Sequence, residues 1–209
     1  MTPATVDHLI VAARDLERAV DWTEERLGVR PYPGGRHPGI GTRNALLSLG
    51  NDVYLEVVGV DPDQPEPPRP RWFGLDEIEE PRLVTWCART PDLDEATARA
   101  EAAGVALGAV QEGSRERTDG VILRWRVTDP WASRAGGVVP FLIDWLDSPH
   151  PGAGEGLGWR VASLHGVHPE PGPVQASLDA LGLPVTVEGG ASPGLRAVLE
   201  TPSGSIELG

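Results

Sequence analysis

The chain has 209 residues, enough for a sizeable buried core in one large domain or two small ones. Its formal net charge of −13 sets it against nucleic acid and anionic membrane surfaces as partners. Every basic residue is an arginine and Cys87 is the single cysteine, which excludes lysine Schiff-base chemistry, a phosphate-loop lysine, an internal disulfide and a thiolate zinc cluster. No stretch has the apolar length to span a bilayer and none reads as a signal peptide, so the expected location is the cytoplasm.

The stretch Val6 to Gly28 reads as a strand, a tight turn and a helix. Alternation puts Val6, His8 and Ile10 on one face and Asp7, Leu9 and Val11 on the other. The period then changes, and Leu16, Ala19, Val20, Thr23 and Leu27 share a helical stripe. Asp15 is placed to cap the first turn and Gly28 to close the last. A Gly/Pro-rich loop carrying His37 follows, which Thr42 and Asn44 are expected to hold through side-chain to backbone bonds. Two strands come next, ALLSLG and NDVYLEVVGV; with Leu55 and Val57 under the helix, Glu56 looks to the same side as His8.

The pattern recurs from Leu83 to Gly104, with Asp92 and Glu95 as a capping box and Leu93, Ala96, Ala100 and Ala103 as the stripe. Strands are expected in VALGAV, GVILRWRVTD and VVPFLIDWL, and a solvated hairpin in EGSRERTDG. A weaker third copy starts at Trp159, with Pro173 in the first helical turn. Residues 1–60 thus form a first βαβββ module and 83–146 a second, with 159–209 a third, shorter unit. The connectors are 61–82, rich in proline, and 147–158, rich in glycine and carrying His150. All of it is expected to form one compact body.

Two such modules side by side would curve into a half-barrel with helices outside, and the open faces would line a cup. An imidazole and a carboxylate on that surface, His8 and Glu56, are good ligands for a divalent metal such as zinc, nickel, manganese or iron. Glu56 in an apolar strand needs a partner of some kind, whether a ligand, a metal or an arginine. For His8, an interior polar role stands beside that of a satisfied strand histidine. Trp145 is the first choice among seven tryptophans to stack on a flat ligand. Asp144 alternates with it, so an error of one register position exchanges the two in the cup.

His8, Asp15 with Leu16, the helix end Leu27–Gly28, the stretch GGRHPGIGTRNALLSLG and Glu56 in YLEVVG together resemble the vicinal oxygen chelate superfamily, in its glyoxalase-like branch. The resemblance implies an α+β fold of tandem βαβββ modules forming a cupped mixed sheet. In that superfamily the first and last strands of each module supply metal ligands, so His8 and Glu56 match one module. In the second, Thr85 stands at the histidine position, and the partner of Glu56 falls near Ile143 or Asp144. His165 and Glu207 in the third unit are alternative ligands. The implied function is a metal-assisted enzyme on a small molecule, of isomerase, lyase or dioxygenase type, chelating neighbouring substrate oxygens. Glu56 and His37 would be catalytic there, with Asn44, Asp144 and Trp145 on the substrate. The alternative is a metal-free protein that sequesters a small molecule, as bleomycin-resistance proteins do, which the missing second histidine and the tryptophans favour. A third reading has the cup filled by the chain's own side chains. A homodimer fits the superfamily's habit of pairing modules.

Overall fold

The computed structural model describes residues 4–116, 120–132, 134–153 and 157–209. The first unit is β1 (Thr5–Ala12), α1 (Leu16–Leu27), β2 (Tyr32–His37), β3 (Thr42–Gly50) and β4 (Val53–Val60). The second is β5 (Arg82–Arg89), α2 (Leu93–Ala102), β6 (Gln111–Glu116), β7 (Ile122–Val127) and β8 (Phe141–Asp144). The third repeats the order as β9 (Arg160–His168), α3 (Pro171–Ala180), β10 (Thr186–Gly189), β11 (Gly194–Thr201) and β12 (Gly204–Leu208).

Local chemistry sets the helix ends. Asp15 accepts the N–H groups of Glu17 and Arg18, and Gly28 closes α1 in the left-handed conformation at φ 72°. Asp92 likewise accepts from Glu95. The stripe of α2 buries Leu93, Ala96 and Ala100; Ala103 lies past the helix end and is exposed.

The first two units share a mixed eight-stranded sheet, ordered β2-β3-β4-β1-β5-β8-β7-β6. β1 and β5 meet antiparallel at its centre, so the two units are related by a local two-fold. Each first strand pairs in parallel with its own unit's last, β1 with β4 and β5 with β8. The sheet curls until its outer strands approach, and the stem of Arg115 in β6 crosses Gly35 in β2. On its outer face Leu9, Val11, Leu55, Val57, Trp86 and Ala88 pack under the helices and the third unit. Its concave face is a second apolar cluster around Ile10, Tyr54, Leu123, Phe141 and Trp145. The third unit has its own four-stranded sheet, β10-β9-β11-β12.

Two sequence expectations shift. VALGAV is not a strand; β6 lies in the following charged run, of which Arg117, Thr118 and Asp119 are outside the described residues. His37 sits not in a loop but at the end of β2.

Candidate active site in the cup

The floor of the cup begins with an irregularity in β1. Val6 pairs with Ala88 and His8 with Cys87, leaving Asp7 unpaired in a β-bulge. The bulge breaks the expected alternation. Val6 turns to the outer core, while Asp7 joins His8 on the concave side. Its mate by the two-fold is Val84, unpaired between Ile10–Thr85 and Val11–Leu83.

Asp7 is fully buried and gathers three donors. His8 Nδ1 lies 2.7 Å from Oδ1, while Trp145 Nε1 at 3.0 Å and His150 Nε2 at 2.9 Å reach Oδ2. Gly152 donates its N–H to His150 Nδ1, so the His150 proton is on Nε2 and points at Asp7. Burial would raise the Asp7 carboxyl, but the hydrogen bonds and charge of His150 and His8 outweigh it and hold it well below the carboxylate range. The aspartate therefore fixes the His8 proton on Nδ1 and aims the Nε2 lone pair into the cup.

There Nε2 meets Glu56 Oε2 at 3.5 Å. Two acceptors at that spacing call for a proton, a water or a cation between them. The other Glu56 oxygen accepts from Asn44 Nδ2 at 2.5 Å. Asn44 is itself aligned, because its Oδ1 accepts the Gly35 N–H at 2.7 Å. Gly34 permits this approach, since a Cβ there would lie 2.2 Å from Asn44 Oδ1. His37 borders the same amide at 3.4 Å, contacts Thr42 Oγ1 at 2.9 Å and stands 3.8 Å from Glu56. Burial pushes its pKa down against the pull of Glu56, which keeps the ring neutral.

The walls are aromatic: Tyr54 stacked on His8, with Phe141, Trp125 and Trp145 around it. The proline-rich connector ends in a short 3₁₀ segment whose first residues, Trp72 and Phe73, fold over the cup. Trp72 meets His37 edge-on and Phe73 stacks on Phe141, leaving a cavity of about 90 Å³. Two donors there lack partners among the described residues. The Arg115 guanidinium makes no hydrogen bond or ion pair with a described residue, and the buried Trp72 Nε1 has no acceptor.

His8, His37, Asn44, Glu56 and Trp145 thus line one cavity. Asp144 does not. It alternates away from Phe141, Ile143 and Trp145, and its carboxylate accepts the Leu146 N–H. His165 and Glu207 are also placed elsewhere. Leu164 and Leu208 point to the outer core, so their neighbours His165 and Glu207 face away from it, with both sheets between them and the cup. They sit on β9 and β12 with β11 between, roughly 10 Å apart in strand spacing, too far to share an ion. Asp7, His150, Trp72, Phe73 and Arg115 escaped the sequence reading. Only the aromatic pair after a proline-rich run gave a signal there.

The register also locates the second half of the superfamily's metal set. Ile10 pairs with Glu56, and its two-fold mate Cys87 pairs with Phe141. Phe141, rather than Ile143 or Asp144, therefore stands at the place of Glu56. Thr85 stands at the place of His8 and donates its hydroxyl to Gly137 O at 3.0 Å. Two of four ligand positions hold side chains that do not bind metal, so the residues present do not make up that centre. Another trio, Asp7, His8 and Cys87, has donor atoms within 4.8 Å of one another. Its carboxylate is engaged by three N–H groups, and burial pushes the Cys87 thiol up, so Asp7 and His8 form a hydrogen-bonded pair beside a protonated thiol.

The chain is similar in fold to solved proteins. A hypothetical protein from Staphylococcus aureus has a TM-score of 0.65 at 13% identity, over 91% of this chain and 88% of that one. A mutant 4-hydroxymandelate synthase from Streptomyces coelicolor has a TM-score of 0.52 at 15% identity, over 100% of this chain and 63% of that one. Methylmalonyl-CoA epimerase from Mycobacterium tuberculosis is 20% identical over 66% of this chain and 84% of that one, with a TM-score of 0.41. No curated protein matches the chain in sequence. The model of the glyoxalase-like domain family matches residues 6–182, and the chain belongs to that family. Among the described residues no helix is long and apolar enough to cross a membrane.

Proposed function

We propose that the cup binds a small planar molecule bearing an acidic group and that Glu56 handles a proton of that ligand, without the superfamily's four-ligand metal centre. The observation that supports this best is the pairing of an unpartnered cation with an aromatic wall above an aligned acid–base floor. Arg115 supplies the charge that holds an anion, the indoles and Phe141 supply flat apolar surface, and Trp72 Nε1 offers a free donor. Glu56 is aligned by Asn44 and faces the Nε2 lone pair of His8, the arrangement a general base needs. Asp7 and His150 are positioning residues behind His8. Of the superfamily's four ligand positions, the metal-chelating reading keeps two, His8 and Glu56.

Benzoate serves as the probe, followed by quenching of tryptophan fluorescence, together with metal analysis of untagged protein. Saturable quenching, weakened at least tenfold by Arg115→Ala, with no stoichiometric metal, is expected. Stoichiometric metal that disappears in His8→Ala would overturn the proposal in favour of metal chelation. Absence of quenching by benzoate would leave the cup as core, filled by Trp72 and Phe73.

A further inference from the structure

A cleft larger than the cup lies beside it. About 740 Å³ lies between β5, residues Pro130, Trp131, Ala132 and Arg134, and the loop before β11 in the third unit, and it shares Phe73 and Pro130 with the cup as a wall. Among the described residues no Asp or Glu side chain lines this cleft, although the main chain of Gly209 borders it, in a chain with 31 acidic residues against 18 arginines. Three arginines do: Arg71, Arg82 and Arg134. Arg71 is neutralised by Glu66 at 3.0 Å and Asp76 at 2.6 Å. The other two have no carboxylate partner among the described residues.

Arg134 is the unusual one. It is 7% exposed, and its Nη atoms donate to the main-chain oxygens of Asp129 and Pro130. Among the described residues its Nε finds no acceptor. Burial lowers its pKa to about 10, against the opposing pull of Cys87 and Asp129. Its guanidinium lies 5.5 Å from the centre of the Phe141 ring and feels the charge of Asp129, but among the described residues no carboxylate is in ion-pair contact with it. An anion in the cleft would supply the ion-pair partner that Arg134 lacks, and Arg82 at the rim adds a second, exposed guanidinium. Guanidinium forks suit both phosphate and carboxylate oxygens.

We propose that this cleft is an oxyanion site separate from the cup, in which Arg134 and Arg82 take the phosphate or carboxylate end of a small molecule. The test is calorimetric titration at pH 7 and constant ionic strength, with inorganic phosphate and acetate as probes. One-to-one binding of either anion is expected, at least tenfold weaker in Arg82→Ala and undetectable in Arg134→Gln, and unchanged in Arg115→Ala. Phosphate binding more tightly than acetate, or the reverse, identifies the chemical class. If Arg134→Gln does not fold, the exposed Arg82→Ala still decides. No saturable binding of either anion, binding indifferent to Arg82, or binding lost in Arg115→Ala overturns the proposal. The last outcome would place the anion in the cup, and failure of benzoate there leaves this test untouched.

Discussion

Asp7 shows how one side chain can organise a site that its sequence position conceals. Its two oxygens serve three N–H donors at full burial. An asparagine has one acceptor oxygen and an NH₂ that would confront a donor. Asp7→Asn should therefore destabilise the fold by about 3 kcal/mol, in the range for breaking a buried charged network. Urea denaturation measures this, and a loss under about 1 kcal/mol would show that the three donors are not held by its charge. His37 gives a pH prediction. Its folded pKa is lowered by burial, so below about 6.5, the ordinary value, the unfolded chain takes a proton that the folded ring refuses. Stability should fall as pH drops below that value, by up to about 1.4 kcal/mol per unit from this residue. Melting His37→Gln between pH 7 and 5 should give a shallower slope than wild type; equal slopes would refute it. His8 and Glu56 were readable from the sequence because strand alternation is local. Asp7 and His150 were not, because a bulge and a long-range hydrogen bond leave no period.

At the scale of elements, what could be read followed the strength of the local signal. Both capped helices and the strands β1, β3, β4 and β5 carry clear periods and stood in the sequence. β2 and β6 did not, because YPGGRH and QEGSRE lack an apolar alternation and are held as strands by their neighbours. The cup depends on these two: β2 brings His37 and the irregular stretch at Gly34 and Gly35, and β6 brings Arg115. The register of β8 decided a second matter, since Phe141 and Trp145 face inward and Asp144 outward. Gly34→Ala tests the β2 contribution. Its methyl would press on Asn44 Oδ1, displacing the amide that aligns Glu56. A loss of about 1–3 kcal/mol is expected by overpacking, with weaker benzoate quenching. Unchanged stability and quenching would show that Asn44 is not fixed from that side.

For the whole molecule, the relevant fact is that one apolar cluster runs through all three units. Leu9 and Leu55 of the first, Trp86 and Ala96 of the second and Leu164, Leu178 and Leu199 of the third belong to it. The third unit is thus the cover on the outer face of the cupped sheet, and its own outward residues, His165 and Glu207, have no route to the concave side. A shared core couples the units energetically, because opening one exposes the apolar face of another. Leu199 is fully buried in β11, and Leu199→Ala should cost about 2–5 kcal/mol. If the core is shared, that cost appears in the unfolding of the entire chain. Far-UV circular dichroism and tryptophan fluorescence should then shift together to lower urea as one transition. A shift in only part of either signal, with the remainder at the wild-type midpoint, would mean that the cupped sheet stands without its cover.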